Sequence, residues 1–233
     1  TLRKTSFDPG GFAEFLRVPA INVEKKGVYL LPKEVSFEEA TFIEPLACVL
    51  RGQKQAGYKK GQTLLVIGSG ISGLLHIQLA KSRSFGKIIA TDINDYRLKM
   101  AGKFGADLIV NAREDVGKGA DLVILCTGAK PAIEQALKSV TRGGTILFLA
   151  STEEGLTFPL SVNEFFWKNE VTLTSSYAGN PQEHLDALEL IRSKKVNVKD
   201  MITHRLGLRD IQKGFKLVSD AKESIKVIIE PQM

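Results

Sequence analysis

The sequence predicts an α/β protein built around a doubly wound, parallel sheet of six strands. Three observations point there. From Lys60 onward, short apolar runs alternate with helical stretches, the pattern of βαβ crossovers. The first run, Leu64-Leu65-Val66-Ile67, has no polar residue, as in a strand buried on both faces, and leads into Gly68-Ser69-Gly70-Ile71-Ser72-Gly73. The second run, Lys87 to Thr91, ends in Asp92, 19 residues beyond Gly73. A G-x-G-x-x-G turn between strand and helix, with an acid at that distance, is the arrangement that holds a dinucleotide. Gly68 permits the tight turn, Gly70 lets backbone approach a pyrophosphate, and Gly73 lets helix pack closely on strand. Ile71 and Ser72 complete the turn, where a helix N-terminus offers free N–H groups to phosphates.

In chain order, residues 1–35 hold two strand-like pieces, FAEFLRV and GVYLLP, broken by Gly10-Gly11, Pro19, Gly27 and Pro32. They read as β-structure with too few strands to close a sheet. That leaves unpaired edges and predicts an exposed apolar patch and a homo-oligomer. Ser36-Phe-Glu-Glu39 is a capping box opening a helix. Glu44-Pro45 is expected to bend or restart that helix, because the residue before proline is pushed out of the α region. The Glu44 carboxylate then either turns into a cleft or sits as an acid on the helix dipole; spacing leaves both open.

Strands are predicted at Thr63–Ile67, Lys87–Thr91, Asp107–Val110, Ala120–Cys126, Thr145–Leu149 and Val171–Ser175. Helices are expected over Gly70–Arg83, Asp95–Phe104, Pro131–Thr141 and Ser161–Lys168, with the stretch 111–119 mostly loop. The predicted strand order is 3-2-1-4-5-6, with a ligand beyond the carboxyl ends at the switch between strands one and four. Those ends carry Cys126-Thr127-Gly128, Ala150-Ser151 and Ser175-Ser176-Tyr177, small residues suited to backbone contact with a flat ring. After Asn180-Pro181 comes an amphipathic helix with Leu185, Leu188, Leu190 and Ile191 inward, then Met201 to Arg205, a helix over Leu208–Val218 and a strand over Lys226–Glu230.

The totals set limits. The 233 residues are 43% hydrophobic and 25% charged, and no apolar run approaches membrane-spanning length. The opening TLRKTSFDPGG lacks the apolar segment of a signal peptide. Cys48 and Cys126 form no C-x-x-C and no zinc spacing, which fits reduced thiols in the cytoplasm. The net charge of +6 comes from scattered pairs such as Lys25-Lys26, Lys59-Lys60 and Lys194-Lys195. With no basic run and no aromatic platform, neither nucleic acid nor membrane is an expected partner.

The stretches GGFAEFLRVPA (10–20), VSFEEATFIEPLACVLRG (35–52), TLLVIGSGISGLLHIQLAK (63–81), DIQKGFKLV and IKVIIEP together resemble the zinc-dependent medium-chain dehydrogenases, such as the alcohol, sorbitol and threonine dehydrogenases. The resemblance implies a Rossmann domain over 45–178, with 1–44 a remnant of a GroES-like catalytic domain and 179–233 returning to it. It implies NAD as cofactor, a small alcohol or polyol as substrate, and zinc in the full-length enzyme. By the same resemblance, Gly68, Gly70 and Gly73 take the pyrophosphate and Asp92 the ribose hydroxyls, with Arg97 nearby. Ile93 fits a preference for NAD, Lys226 approaches the phosphates, and Glu44 is the acidic zinc ligand. The family's other zinc ligands, a cysteine and a His-Glu pair, precede GGFAEF and are not in this sequence. The three histidines, His76, His184 and His204, form no such pair and are not expected to bind metal. Thr1 is not an initiator methionine, and with those ligands missing the chain is expected to be a truncated or partly recorded form, inactive by itself. A non-catalytic NAD(H)-binding or redox-sensing module is the alternative, and a methyltransferase a third reading that G-x-G-x-x-G and IKVIIEP disfavour.

Overall fold

The computed structural model describes residues 8–25 and 27–232. They form two compact units, one holding Thr41–Asn197, the other the described residues up to Ala40 and from Val198 onward. In chain order come α1 (Ala20–Glu24), α2 (Phe37–Ala40), α3 (Ile43–Gln55), β1 (Thr63–Ile67), α4 (Ile71–Ser82), β2 (Lys87–Asp92), α5 (Asp95–Lys103) and β3 (Leu108–Asn111). Then follow β4 (Ala120–Leu125), α6 (Lys130–Ser139), β5 (Val140–Phe148), β6 (Thr172–Ser175), α7 (Pro181–Arg192), β7 (Ile202–Gly207), α8 (Ile211–Asp220) and β8 (Lys226–Glu230).

In the larger unit the six strands are all parallel, in the order β3-β2-β1-β4-β5-β6. This is the predicted doubly wound order. Leu64 to Ile67 of β1 and Leu122 to Leu125 of β4 are buried, so the two central strands lie between covered faces, as their apolar runs require. The stretch between β3 and β4 contains no helix, as expected. Before β6, residues Asn163–Lys168 wind as a π-helix. On α7 the buried face is Glu183, Ala187 and Ile191. Leu185, predicted to face inward, is 42% exposed. A capping box explains the shift: the Asn180 side chain accepts from Glu183 N–H (3.0 Å) and the Glu183 carboxylate accepts from Asn180 N–H (2.7 Å). That fixes the rotation of the helix and carries Glu183 inward, within 3.6 Å of Arg51.

In the smaller unit β7 and β8 pair in parallel, and α8 packs on them where Gly214 leaves room for Ile229. Glu38 of α2 takes a two-pronged ion pair from Arg205 of β7. The β-structure predicted for residues 1–35 is not found among the described residues; they hold α1 and one isolated bridge, Asp8 with Arg17. The pieces have strand composition, but a strand needs a partner, and among the described residues neither piece is paired into a sheet. Phe15, Leu30 and Phe37 are each more than four-fifths exposed.

The Ser36 capping box forms, with Glu39 N–H on the Ser36 hydroxyl (3.2 Å) and Ser36 N–H on the Glu39 carboxylate (2.9 Å). The helix break falls at Thr41-Phe42, two residues before the predicted bend at Glu44-Pro45. The reason is that Pro45, placed in the first turn of α3, has no N–H to leave unsatisfied, so helix can begin ahead of it.

Candidate functional site

The larger unit concentrates its polar chemistry where β1, β2 and β4 end. At the end of β1 the chain turns at Gly68, whose φ of +93° belongs to the region that side chains avoid. Its N–H donates to Thr91 O at 2.9 Å, tying the turn to β2. A Cβ on Gly73 would lie 2.0 Å from Gly68 O, so only glycine lets α4 approach the strand this closely. Gly70, the N-cap of α4, differs: a Cβ there would meet nothing within 4 Å. No protein atom demands glycine at 70. The open space in front of it is what an approaching phosphate needs.

Asp92 closes β2 and is only 6% exposed. One carboxylate oxygen accepts Ser69 N–H at 2.7 Å, the other Asn94 N–H at 2.9 Å. Ser69 is itself fixed, its hydroxyl donating to Thr91 O at 3.2 Å. Each carboxylate oxygen keeps a free lone pair, so an aimed acceptor pair stands beside the glycine turn. Asn94 caps α5 by accepting Arg97 N–H at 3.1 Å. The buried Nε of Arg97 has no hydrogen-bond partner, and Ile93 is 65% exposed.

Across the switch point, Cys126 N–H donates to Ile67 O (2.8 Å) and extends the pairing of β4 with β1. Desolvation pushes the Cys126 thiol up to about 12, so it is no nucleophile at neutral pH. A Cβ on Gly128 would lie 2.1 Å from Ser151 O, so the turns after β4 and β5 touch backbone to backbone. A crevice of about 310 Å³ opens there, lined by Gly128, Lys130, Ser151, Glu153 and Leu156 among others. Leu149 and Ala150 N–H both donate to Leu125 O at 3.2 Å. The Ser176 hydroxyl, beyond β6, is buried without a partner. Lys226 opens β8 in the smaller unit, where its carbonyl accepts the Thr203 hydroxyl (3.1 Å).

The donors around Glu44 do not make a zinc site by themselves. Glu44 is exposed in the first turn of α3 and accepts the Cys48 thiol at 3.2 Å. Partial burial, then the hydrogen bond and charge of Glu44, push Cys48 up to about 11. Among the described residues no group of three or more His, Cys, Asp or Glu is placed to hold a metal, and a catalytic zinc needs about three protein ligands. His184 Nδ1 lies 2.7 Å from Asn180 O, and His204 Nδ1 lies 3.0 Å from Thr203 Oγ1.

His76 is fully buried on α4. Arg83 donates to Gln53 Oε1 (3.1 Å), which turns the Gln53 amide nitrogen toward His76 O (3.1 Å) and His76 Nδ1 (3.2 Å). Nδ1 is thus an acceptor, the proton sits on Nε2, and Nε2 has no partner. Burial first, then the charge of Arg83, pull His76 down to about 3. It is a neutral pin between α3 and α4.

A doubly wound sheet with a glycine turn, an aimed acid at the end of the second strand and small residues at the switch point defines a dinucleotide-binding domain. Residues 72–193, just over half of the chain, match the family model described as zinc-binding dehydrogenase, and the chain belongs to that family. It is 33% identical to a D-xylulose reductase of Saccharomyces cerevisiae over 88% of this chain and 61% of that protein. It is 32% identical to an L-threonine 3-dehydrogenase of Bacillus velezensis over 95% of this chain and 65% of that one. Among solved structures, an alcohol dehydrogenase from Thermus sp. ATN1 superposes with a TM-score of 0.80 and 28% identity, over 94% of this chain and 64% of that chain. A Sinorhizobium meliloti protein solved with NADP bound superposes with a TM-score of 0.84 and 26% identity, over 95% and 66%. The chain thus spans about three-fifths to two-thirds of the length of these relatives.

Proposed function

We propose that this chain carries the NAD(H)-binding half of a zinc-type dehydrogenase that moves hydride between an alcohol or polyol and nicotinamide. The observation that carries the reading is Asp92, a nearly buried carboxylate held by two backbone N–H groups beside an open glycine turn. In this reading the N–H groups of Gly70 to Gly73 take the pyrophosphate, and Asp92 accepts the adenosine ribose hydroxyls with Arg97 and Ile93 beside it. Cys126, Thr127, Ala150 and Ser176 face the nicotinamide end, and Lys226 of the smaller unit is the basic position that the family resemblance assigns to the phosphates. Asp92 favours NAD, because a carboxylate repels a 2′-phosphate.

The bound cofactor supplies the carbon that accepts hydride; the chain's own part is to bind it, orient the ring and exclude water. Glu44 contributes one zinc ligand, and the whole enzyme contributes the others. The polyol assignment draws on the xylulose-reductase relative, whose name denotes a keto sugar substrate. The two free cysteines fit a cytoplasmic location, and exposed Phe15, Leu30 and Phe37 fit self-association. The incomplete donor set at Glu44 favours one other reading, an NAD(H)-binding module without alcohol chemistry.

Titration of intrinsic and NADH fluorescence tests the site. Saturable binding is expected, weakened by roughly 1–3 kcal/mol in Asp92→Ala, the range for losing a charged hydrogen-bond acceptor. Unchanged affinity in that variant overturns the assignment of Asp92.

A further inference from the structure

The sequence scatters its lysines, and the fold gathers many of them at the end of the sheet opposite the glycine turn. In the larger unit, hydrogen bonds join the loops at the amino ends of the strands into one surface. Gly61 N–H donates to Ser84 O (3.1 Å), Gly86 N–H to Gln62 O (2.9 Å), Ile88 N–H to the Asp107 carboxylate (2.8 Å), Thr63 N–H to the Asp121 carboxylate (2.8 Å) and Gly119 N–H to Ser139 O (3.0 Å). Lys59, Lys60, Lys87 and Lys118 stand exposed on these loops and strand starts. Lys54, Lys81, Lys103 and Lys138 stand in the last turns of α3, α4, α5 and α6, which end on the same side.

Helix dipoles account for the second four, since cations favour helix C-termini. They give no reason for the first four, which make no ion pair among the described residues. Four acids at this end have local partners. Asp107 and Asp121 accept backbone N–H groups, Asp115 is turned onto Gly117 N–H (3.0 Å), and Glu170 pairs with Arg142 (3.4 Å). From β3 to β5 the band crosses four strand spacings, about 19 Å at roughly 4.8 Å each.

We infer that this basic band is a docking surface for the phosphate backbone of double-stranded nucleic acid, bound without base readout. Lysine is depleted in protein–protein interfaces, which are built on aromatic and apolar centres, so an acidic protein fits the band less well. Single strands are held by several rings stacking successive bases. Here Tyr58 is already stacked on Phe85 (5.1 Å) and covered by Arg83 (4.8 Å), and Trp167, before the edge strand β6, is a single ring. A duplex presents one charge per about 1.7 Å of its axis, enough to engage the four exposed lysines of the loops and strand starts together.

The test uses the 233-residue chain and a fluorescein-labelled 24-base-pair DNA duplex, followed by anisotropy, with a 24-nucleotide poly-U strand and phosphatidylserine vesicles as parallel probes. Four or five neutralised phosphates predict a log–log salt slope near −4, so affinity falls about 10²–10³-fold between 50 and 200 mM salt. Lys59→Gln/Lys60→Gln/Lys87→Gln/Lys118→Gln should flatten that slope to near −1 and weaken binding at 50 mM at least tenfold. Lys213→Gln/Lys216→Gln, in the smaller unit, should change neither. Saturating NADH should not displace the duplex. The inference is overturned by absent binding at 50 mM salt, by a slope the quadruple variant does not alter, by displacement with NADH, or by tighter binding to vesicles or poly-U than to the duplex. If the quadruple variant does not fold, Lys59→Gln/Lys60→Gln serves, with an expected slope change of about 2.

Discussion

Two alanine substitutions in the same turn separate packing from binding. Gly73→Ala places a methyl group 2.0 Å from Gly68 O and 3.0 Å from Gly68 C, both backbone atoms at the tightest point of the turn. No rotamer change relieves a contact with backbone, so α4 must retreat from β1 by more than an ångström. Overpacking of a filled site costs roughly 1–3 kcal/mol, and a backbone clash lies at the upper end. Gly70→Ala meets nothing within 4 Å, and its φ of −71° suits any residue. The poorer N-cap and the stiffer unfolded chain act in opposite directions, each by about 0.5–1 kcal/mol, so stability should stay within ~1 kcal/mol of wild type. The added methyl nonetheless fills the space assigned to the pyrophosphate. Urea unfolding and NADH titration, run on both variants, read the two quantities. Gly73→Ala should lose stability and cofactor affinity together; Gly70→Ala should lose at least tenfold in affinity at near-normal stability. A Gly70→Ala variant that binds NADH like wild type would falsify the placement of the phosphates.

Other outcomes follow from the same geometry. His76 has its folded pKa depressed to about 3, so its contribution is complete above the unfolded value near 6.5 and is lost as pH falls toward 3. Within that window wild type should lose up to about 1.4 kcal/mol per pH unit more than His76→Gln, measured by urea unfolding at pH 7, 6 and 5; parallel curves would show the imidazole to be solvated. The Cys48 and Cys126 thiols, raised to about 11 and 12, should resist iodoacetamide at pH 8 in the folded chain and react readily in urea. Metal analysis of the purified chain beside an alcohol-dependent NADH assay should find neither tightly held zinc nor turnover, and tightly held stoichiometric zinc would refute the ligand count.

The core of the molecule was legible because its signals are local. Leu64 to Ile67, the spacing of Gly68, Gly70 and Gly73, and the distance to Asp92 each depend on a few consecutive residues, and strand order follows from the handedness of crossovers. What sequence reading missed depends on partners distant in the chain or on competing local geometry. FAEFLRV and GVYLLP have the composition of strands but pair with no strand among the described residues. Periodicity places Leu185 inward, whereas the Asn180–Glu183 capping box, visible in the sequence as N-x-x-E, sets the rotation of α7. The orphaned Ser176 hydroxyl and the clamp of Ser69 and Asn94 on Asp92 are tertiary facts with no sequence signal beyond small residues near strand ends. The basic band is the clearest case, since only the fold brings Lys59, Lys87 and Lys118 to one end of the sheet.

The central claim is that Asp92 makes this an NAD site, and the affinity ratio of NADH to NADPH tests it most directly. Two N–H groups hold the Asp92 carboxylate, and with the ribose placed against it as proposed a 2′-phosphate would meet that charge, so NADH should bind at least tenfold more tightly than NADPH, with the ratio collapsing toward one in Asp92→Ala. Equal affinities in the wild-type chain, or a preference for NADPH, would contradict it.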